Sequence, residues 1–141
     1  MRVVLAAVLL TAAAGSAHAA DPYGIWLTGD GQARIRVDRC GGNLCGTIVW
    51  LRQPIDAATG RPEVDDKNPD PRRRTRPILG LRIFSMAPTA DGAWSGSIYN
   101  ADDGQTYRAS VTSRSPSTLT VRGCAGPFCG DDTWTRVGGR R

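Results

Sequence analysis

Hydrophobic and polar positions alternate with period two through much of this chain. Ala33-Arg34-Ile35-Arg36-Val37-Asp38 sets apolar residues on one face and charged residues on the other. Tyr107-Arg108-Ala109-Ser110-Val111-Thr112 and Leu119-Thr120-Val121-Arg122 do the same. Successive side chains of a strand point to opposite faces, so this is the pattern of half-buried β-strands. Gly46-Thr47-Ile48-Val49-Trp50-Leu51 and Ile78-Leu79-Gly80-Leu81-Arg82-Ile83-Phe84 are more continuously apolar, which predicts strands covered on both faces. Segments near Ile25-Trp26-Leu27, from Trp94 to Tyr99 and from Thr133 to Val137 bring the total to about eight strands. Past the N-terminal segment, no window of about 11 residues or more carries a helical stripe.

Turn formers punctuate these runs at Asp30-Gly31, Gly41-Gly42-Asn43, Asp91-Gly92, Asp103-Gly104 and Gly126-Pro127. Asp-Gly between alternating strands is a strong hairpin signal, and its recurrence predicts a meander. About eight antiparallel strands in a chain of this length fit a small all-β, up-and-down barrel, whose closure removes exposed strand edges. A two-sheet β-sandwich is the alternative. One long irregular stretch, Gln53 to Pro77, interrupts the meander with five prolines. Loops of that length inside a compact domain are functional or disordered. Asp65, Asp66, Asn68, Arg72, Arg73, Arg74 and Arg76 make it the candidate binding loop.

The N-terminus has a different composition. Arg2 precedes an apolar run from Val3 to Ala14, and small residues lead to Ala17-His18-Ala19-Ala20. A charged start, a short apolar middle and a small-residue exit are the three parts of a secretory signal. The run of about 12 apolar residues is too short to cross a bilayer core, which needs about 20. Residues 1–20 are therefore expected to be a cleaved signal peptide, with residues 21–141 as one domain in the periplasm or outside the cell. Removing the first 20 of 141 residues leaves 121 and lowers the net charge from +5 to +4, because only Arg2 is lost.

Export changes how the four cysteines are read. An exported chain with an even number of them normally oxidises them. Cys40-Gly41-Gly42-Asn43-Leu44-Cys45 and Cys124-Ala125-Gly126-Pro127-Phe128-Cys129 repeat one spacing around turn formers. Three connectivities are open, and the local pairs Cys40–Cys45 and Cys124–Cys129 are favoured because each would sit across the neck of a hairpin. A four-cysteine zinc site competes, but its usual spacing is tighter and an oxidising compartment opposes free thiolates.

His18 is the one histidine, so the exported portion has none. That excludes Ser-His-Asp and Cys-His nucleophilic chemistry and histidine-ligated metals. No catalytic residue, metal ligand or cofactor is assigned. Asp66-Lys67-Asn68-Pro69-Asp70 resembles the opening of a calcium loop but lacks its glycine and closing glutamate, and reads better as an Asx-turn. Arg72 to Arg76 would suit phosphate or anionic headgroups, yet Asp65, Asp66 and Asp70 are close enough in sequence to pair with it in solvent. Asp102-Asp103 and Asp131-Asp132 invite a two-carboxylate glycosidase reading. Neighbours on a strand face opposite ways, so both pairs read as turn residues. Trp50, Phe84, Trp94, Tyr99 and Tyr107 either line a cavity or fill the barrel as core.

Gly24-Ile25-Trp26 near the start and Trp134-Thr135-Arg136 near the end resemble the calycin pattern. In that pattern a first-strand tryptophan plugs the barrel floor under a basic residue of the last strand. The resemblance implies that Trp26 and Arg136 close one barrel end through a cation–π contact. The chain is also similar to a family of small exported bacterial proteins catalogued as a domain of unknown function. The match runs in order through Cys40 to Gly46, Ile48-Val49-Trp50-Leu51, Asn68-Pro69, Arg76 to Leu81, Trp94 to Asn100, Asp103 to Tyr107 and Trp134-Thr135-Arg136. It implies a lipocalin-like barrel and export, and carries no activity. The chain departs from that family at Cys124 and Cys129, in a turn the family often makes apolar.

The expectation is a non-enzymatic binding or accessory protein of the cell envelope, engaging a small amphiphilic or anionic ligand at the barrel mouth. The alternative is a filled barrel docking on an envelope partner or surface polymer. Nucleic acid is not an expected partner, and the chain is not expected to span a membrane.

Overall fold

The computed structural model describes residues 20–138. The expected signal peptide, apart from Ala20, lies outside these residues. Eight strands follow in order: β1 (Gly24–Leu27), β2 (Ala33–Cys40), β3 (Asn43–Leu51), β4 (Arg82–Pro88), β5 (Trp94–Asn100), β6 (Gln105–Thr112), β7 (Thr118–Ala125) and β8 (Phe128–Arg136). Each pairs antiparallel with the next, and β1 pairs with β8 through Trp26–Arg136 and Leu27–Thr135, which closes the barrel.

Period-two patterning decides which side chains point inward. Ile35 and Val37 of β2, Ala109 and Val111 of β6, and Leu119 and Val121 of β7 are all buried. With Trp26, Leu44, Phe84, Met86 and Trp134 they form one continuous core. Burying a side chain of this size contributes roughly 1.5–3 kcal/mol, so alternation both sets the register and supplies the main driving force.

Two strands depart from their expected bounds: β8 begins at Phe128, five residues before the expected Thr133, and β4 begins late. Ile78 to Leu81 was expected to begin β4, but these residues are loop, and the strand starts at Arg82. Gly80 adopts φ +89°, which breaks the ladder. Ile78 and Leu81 are nevertheless buried. The amide of Ile48 donates to Leu81 O at 2.9 Å and that of Gly80 to Ile48 O at 2.8 Å. The loop thus extends the barrel wall ahead of the start of β4. Apolar character here signals burial without a full strand.

The barrel ends differ. At one end, Trp26 is fully buried and its Nε1 donates to Pro22 O at 2.9 Å. The Arg136 guanidinium lies 4.3 Å above the Trp26 ring and donates to Pro116 O, Tyr23 O and Asp21 O at 2.6–2.8 Å. Gly24 has φ +137°, and a Cβ there would collide with that guanidinium. Its place in Gly24-Ile25-Trp26 therefore has a steric cause. The opposite end, formed by turns 28–32, 101–104 and 126–127 and by the long loop, is open.

Disulfides join Cys40 to Cys45 and Cys124 to Cys129. The first staples the β2–β3 hairpin at the closed end. The second joins directly opposed residues of β7 and β8 at the open end.

Candidate functional site

Hairpin geometry builds the open end. Beneath it lies a cavity of about 460 Å³. Ile35, Ile48, Ile98 and Val121 supply its apolar wall with Trp134, while Asp30, Asp102, Asp131, Asp132 and Tyr107 stand around it. Gly123 and Gly130 face each other across β7 and β8 and also border the cavity. A Cβ added to either meets nothing within 4 Å. On alternation they share the inward face with Val121 and Trp134, so these glycines hold space open. A second hollow of about 320 Å³ lies alongside, bordered by Glu63, Asp66 and Lys67 of the long loop.

The long loop is tied down by a buried polar cluster. Asp65 is fully buried, and its carboxylate accepts from Tyr99 Oη at 2.5 Å, Asn68 Nδ2 at 2.8 Å and Arg76 Nε at 2.8 Å. Arg76 also lies 5.7 Å from the Tyr99 ring. Burial alone pushes the Asp65 carboxyl up, but the three hydrogen bonds and the Arg76 charge outweigh it and hold its pKa below the ordinary carboxylate value. Burial and the neighbouring Asp65 charge together push the Tyr99 phenol up. Further along, Lys67 Nζ donates to Asp102 O at 2.8 Å, and Gly104 packs so closely on the Lys67 carbonyl that a Cβ would not fit.

The residues singled out from sequence separate into groups. Asp65, Asn68 and Arg76 form the internal cluster just described. Asp66 borders the smaller hollow. Arg72 and Arg73 pair with Asp70 in solvent, and Arg74 Nε donates to Asn68 O at 2.7 Å. None of Arg72, Arg73 or Arg74 borders either hollow. Asn68 Oδ1 accepts from the Asp70 amide at 2.9 Å, an Asx-turn. No cluster of three or more His, Cys, Asp or Glu positioned to hold a metal occurs among the described residues.

The aromatic residues divide as well. Phe84 is core, Trp94 packs against the core, and Tyr99 and Tyr107 border the cavity. Tyr107 donates to Asp103, which raises its phenol pKa. Trp50 is neither cavity nor core. It stands outside the barrel between the guanidinium groups of Arg34, at 4.5 Å, and Arg52, at 6.0 Å. A register shift in the β2–β3 ladder beside it explains why simple alternation misplaces this side chain.

Sequence reading missed Asp132, Gly123 and Gly130 as site residues. Asp131 and Asp132 are not turn residues; both lie within β8. Their side chains part as strand neighbours do. Asp131 pairs with Arg122 at 3.1 Å, while Asp132 accepts from Trp134 Nε1 at 2.8 Å. The available signal was the core residue Trp134, which puts Asp132 and Gly130 on its own face.

The sequence profile described as "Uncharacterized protein conserved in bacteria (DUF2147)" matches residues 24–136. The chain belongs to this family. Membership in DUF2147 brings no activity with it, since the family is described only as uncharacterized. Among solved structures, the DUF2147 barrel is similar to protein HP1028 from the human pathogen Helicobacter pylori, described as belonging to the lipocalin family. The two share 21% identity over 84% of each chain, with a TM-score of 0.68. At that identity the likeness shows a shared lipocalin-like fold. No curated protein matches the chain.

Proposed function

We propose that this protein is a non-enzymatic binder of small amphiphilic molecules in the cell envelope, taking the apolar part of the ligand into the barrel through its open end. The cavity of about 460 Å³ carries this reading. It falls within the roughly 300–1,000 Å³ of small-molecule sites and has their usual make-up, an apolar wall with a few polar groups at the edge. A barrel serving only as a docking body has no use for paired glycines that keep its interior open, so the cavity favours the ligand reading over the filled-barrel one. Phe128, 80% exposed where β8 leaves the 126–127 turn, puts an apolar side chain at the same end and gives an amphiphile an apolar approach to the mouth. Two disulfides and the signal-like segment from Arg2 to Ala20 support an oxidising, exported location.

The test is titration of delipidated, oxidised protein with N-phenyl-1-naphthylamine, a neutral fluorophore that brightens in apolar surroundings. Saturable binding is expected, weakened about tenfold or more by Gly123→Leu or Gly130→Leu, because either side chain would occupy the cavity. Absence of saturable binding, or binding indifferent to both substitutions, would reject the reading.

A further inference from the structure

The charge at the cavity mouth runs against the charge of the chain. Arginine and lysine make up 18 of 141 residues and the net charge is +5. Yet neither residue type borders the main cavity, whereas Asp30, Asp102, Asp131 and Asp132 all do. Among the described residues one of these acids is neutralised, Asp131 by Arg122 at 3.1 Å. Among the described residues, the carboxylates of Asp30, Asp102 and Asp132 have no ion-pair partner. Lys67 reaches the backbone carbonyl of Asp102 from the side of the smaller hollow. Asp132 is the most directed of the four. It shares the inward face of β8 with Trp134, whose Nε1 donates to its Oδ2 at 2.8 Å, and the Gly29 amide approaches the same oxygen at 3.4 Å. Neutral donors fix this carboxylate without cancelling its charge.

Acids in turns are by themselves ordinary solvated residues. What gives these a consequence is the apolar cavity they surround, because a molecule with its tail inside must leave its head group among them. We infer that the cavity selects amphiphiles with a cationic head group, an alkylammonium class, and discriminates against carboxylate-headed ones. This rests on the reading of the cavity as a ligand site and adds the sign of the ligand's charge. A cation at the mouth gains attraction from several carboxylates at once, and an anion meets repulsion from the same groups next to a low-dielectric wall. Of the loop arginines that first suggested an anionic ligand, Arg72 and Arg73 pair with Asp70, Arg74 donates to Asn68 O, and none of the three borders the cavity.

Competition between matched decyl chains tests the inference. Decyltrimethylammonium and decanoate, each below its micelle concentration, are titrated against bound N-phenyl-1-naphthylamine at pH 7 and low salt. The ammonium compound is expected to displace the fluorophore at about tenfold lower concentration, with the ratio shrinking toward one near 0.5 M salt as screening sets in. Asp132→Asn retains an acceptor for the Trp134 N–H and should lower the ratio several-fold. Asp102→Asn, in a separate turn, should lower it as well and remains informative if the β8 variant misfolds. Decanoate competing as well as the ammonium compound, or a preference that survives both substitutions and salt, would overturn the inference while leaving the cavity reading intact. Failure of the neutral fluorophore to bind would remove the cavity reading itself and this inference with it.

Discussion

Tyr99 and Asp65, 34 residues apart in sequence, meet through a 2.5 Å hydrogen bond from the phenol to a fully buried carboxylate. The bond fastens the loop between β3 and β4 onto β5, beside the open end. Loops over a barrel mouth tend to be mobile, because they bury little and leave backbone groups in water. Here a charged residue at the loop's centre is held by Tyr99, Asn68 and Arg76, so its position is fixed by side-chain chemistry.

Removing the Asp65 charge should therefore loosen the loop and alter the acid limb of stability. Asp65→Asn keeps the shape but leaves Arg76 without its partner, and should cost about 2–3 kcal/mol at pH 7. The folded pKa of Asp65 lies below the ordinary aspartate value. Its contribution is therefore fully present above that value and is lost as pH falls through the depressed one. Urea unfolding of parent and variant at pH 7, 4 and 2.5 checks both parts. The stability gap should narrow on the acid side, and a gap unchanged down to pH 2.5 would assign the acid limb to other carboxylates.

The tyrosines offer an alkaline counterpart. Burial, followed by the Asp65 charge, raises the Tyr99 phenol above 10, and the hydrogen bond to Asp103 raises Tyr107. A group raised on folding contributes stability below its unfolded value and loses it as pH climbs through the folded one. Absorbance titration near 295 nm should show late-ionising phenols, one removed by Tyr99→Phe and one by Tyr107→Phe. Stability should fall above about pH 10 in the parent and less steeply in Tyr99→Phe.

Much of the fold could be read from alternation, because a period-two sequence leaves few ways to bury one face. Ile35, Val37, Leu119 and Val121 each announced their orientation locally. The Asp65 cluster could not be read in that way. Tyr99 comes from β5 and Arg76 from the far end of the proline-rich stretch, and only folding brings them to Asp65 and its neighbour Asn68. Arg72, Arg73 and Arg74 drew attention as a charge run, yet a run reports composition and not direction. The cavity was least legible of all. It depends on residues that lack side chains, Gly123 and Gly130, and glycines otherwise read as turn or bulge signals.

At the closed end, three carbonyl oxygens from two separate segments converge on Arg136. A guanidinium presents a planar fork of donors that an ammonium cannot reproduce. Arg136→Lys should retain some cation–π contact with Trp26 while losing most of this bridging, a cost of about 1–2 kcal/mol. Gly24→Ala should be at least as harmful, since the new methyl enters the guanidinium site and the backbone has positive φ. Thermal unfolding of the two variants and their combination checks the shared cause. The double variant should lose less than the sum of the singles, because both act on one contact.

The disulfides should contribute similarly to stability and differently to binding. Each closes a loop of six residues, with a sequence separation of 5, for which loop entropy gives about 2 kcal/mol. Replacing either pair by serine should lower stability by roughly that amount. Only the Cys124–Cys129 pair holds the hairpin whose glycines border the cavity. Its loss should weaken fluorophore binding, while loss of Cys40–Cys45 should leave binding unchanged in protein that remains folded. Equal effects on binding would mean that the mouth hairpin keeps its shape without the staple.

Gly123 and Gly130 set stability against function. Both lie in extended strand with φ outside the left-handed region, and an added Cβ finds open space at either. Glycine in a strand costs backbone entropy and packs nothing, so Gly130→Val should stabilise the protein by about 0.5–1 kcal/mol. The same methyl groups would project into the cavity and weaken ligand binding. Denaturation and fluorophore titration on the one variant therefore give paired readouts with opposite expected signs. A more stable protein that binds less well identifies the glycines as room kept for a ligand at the expense of the fold. If stability fell, the pair would instead be needed for the twist of β7 on β8, and the cavity would be a by-product of strand geometry.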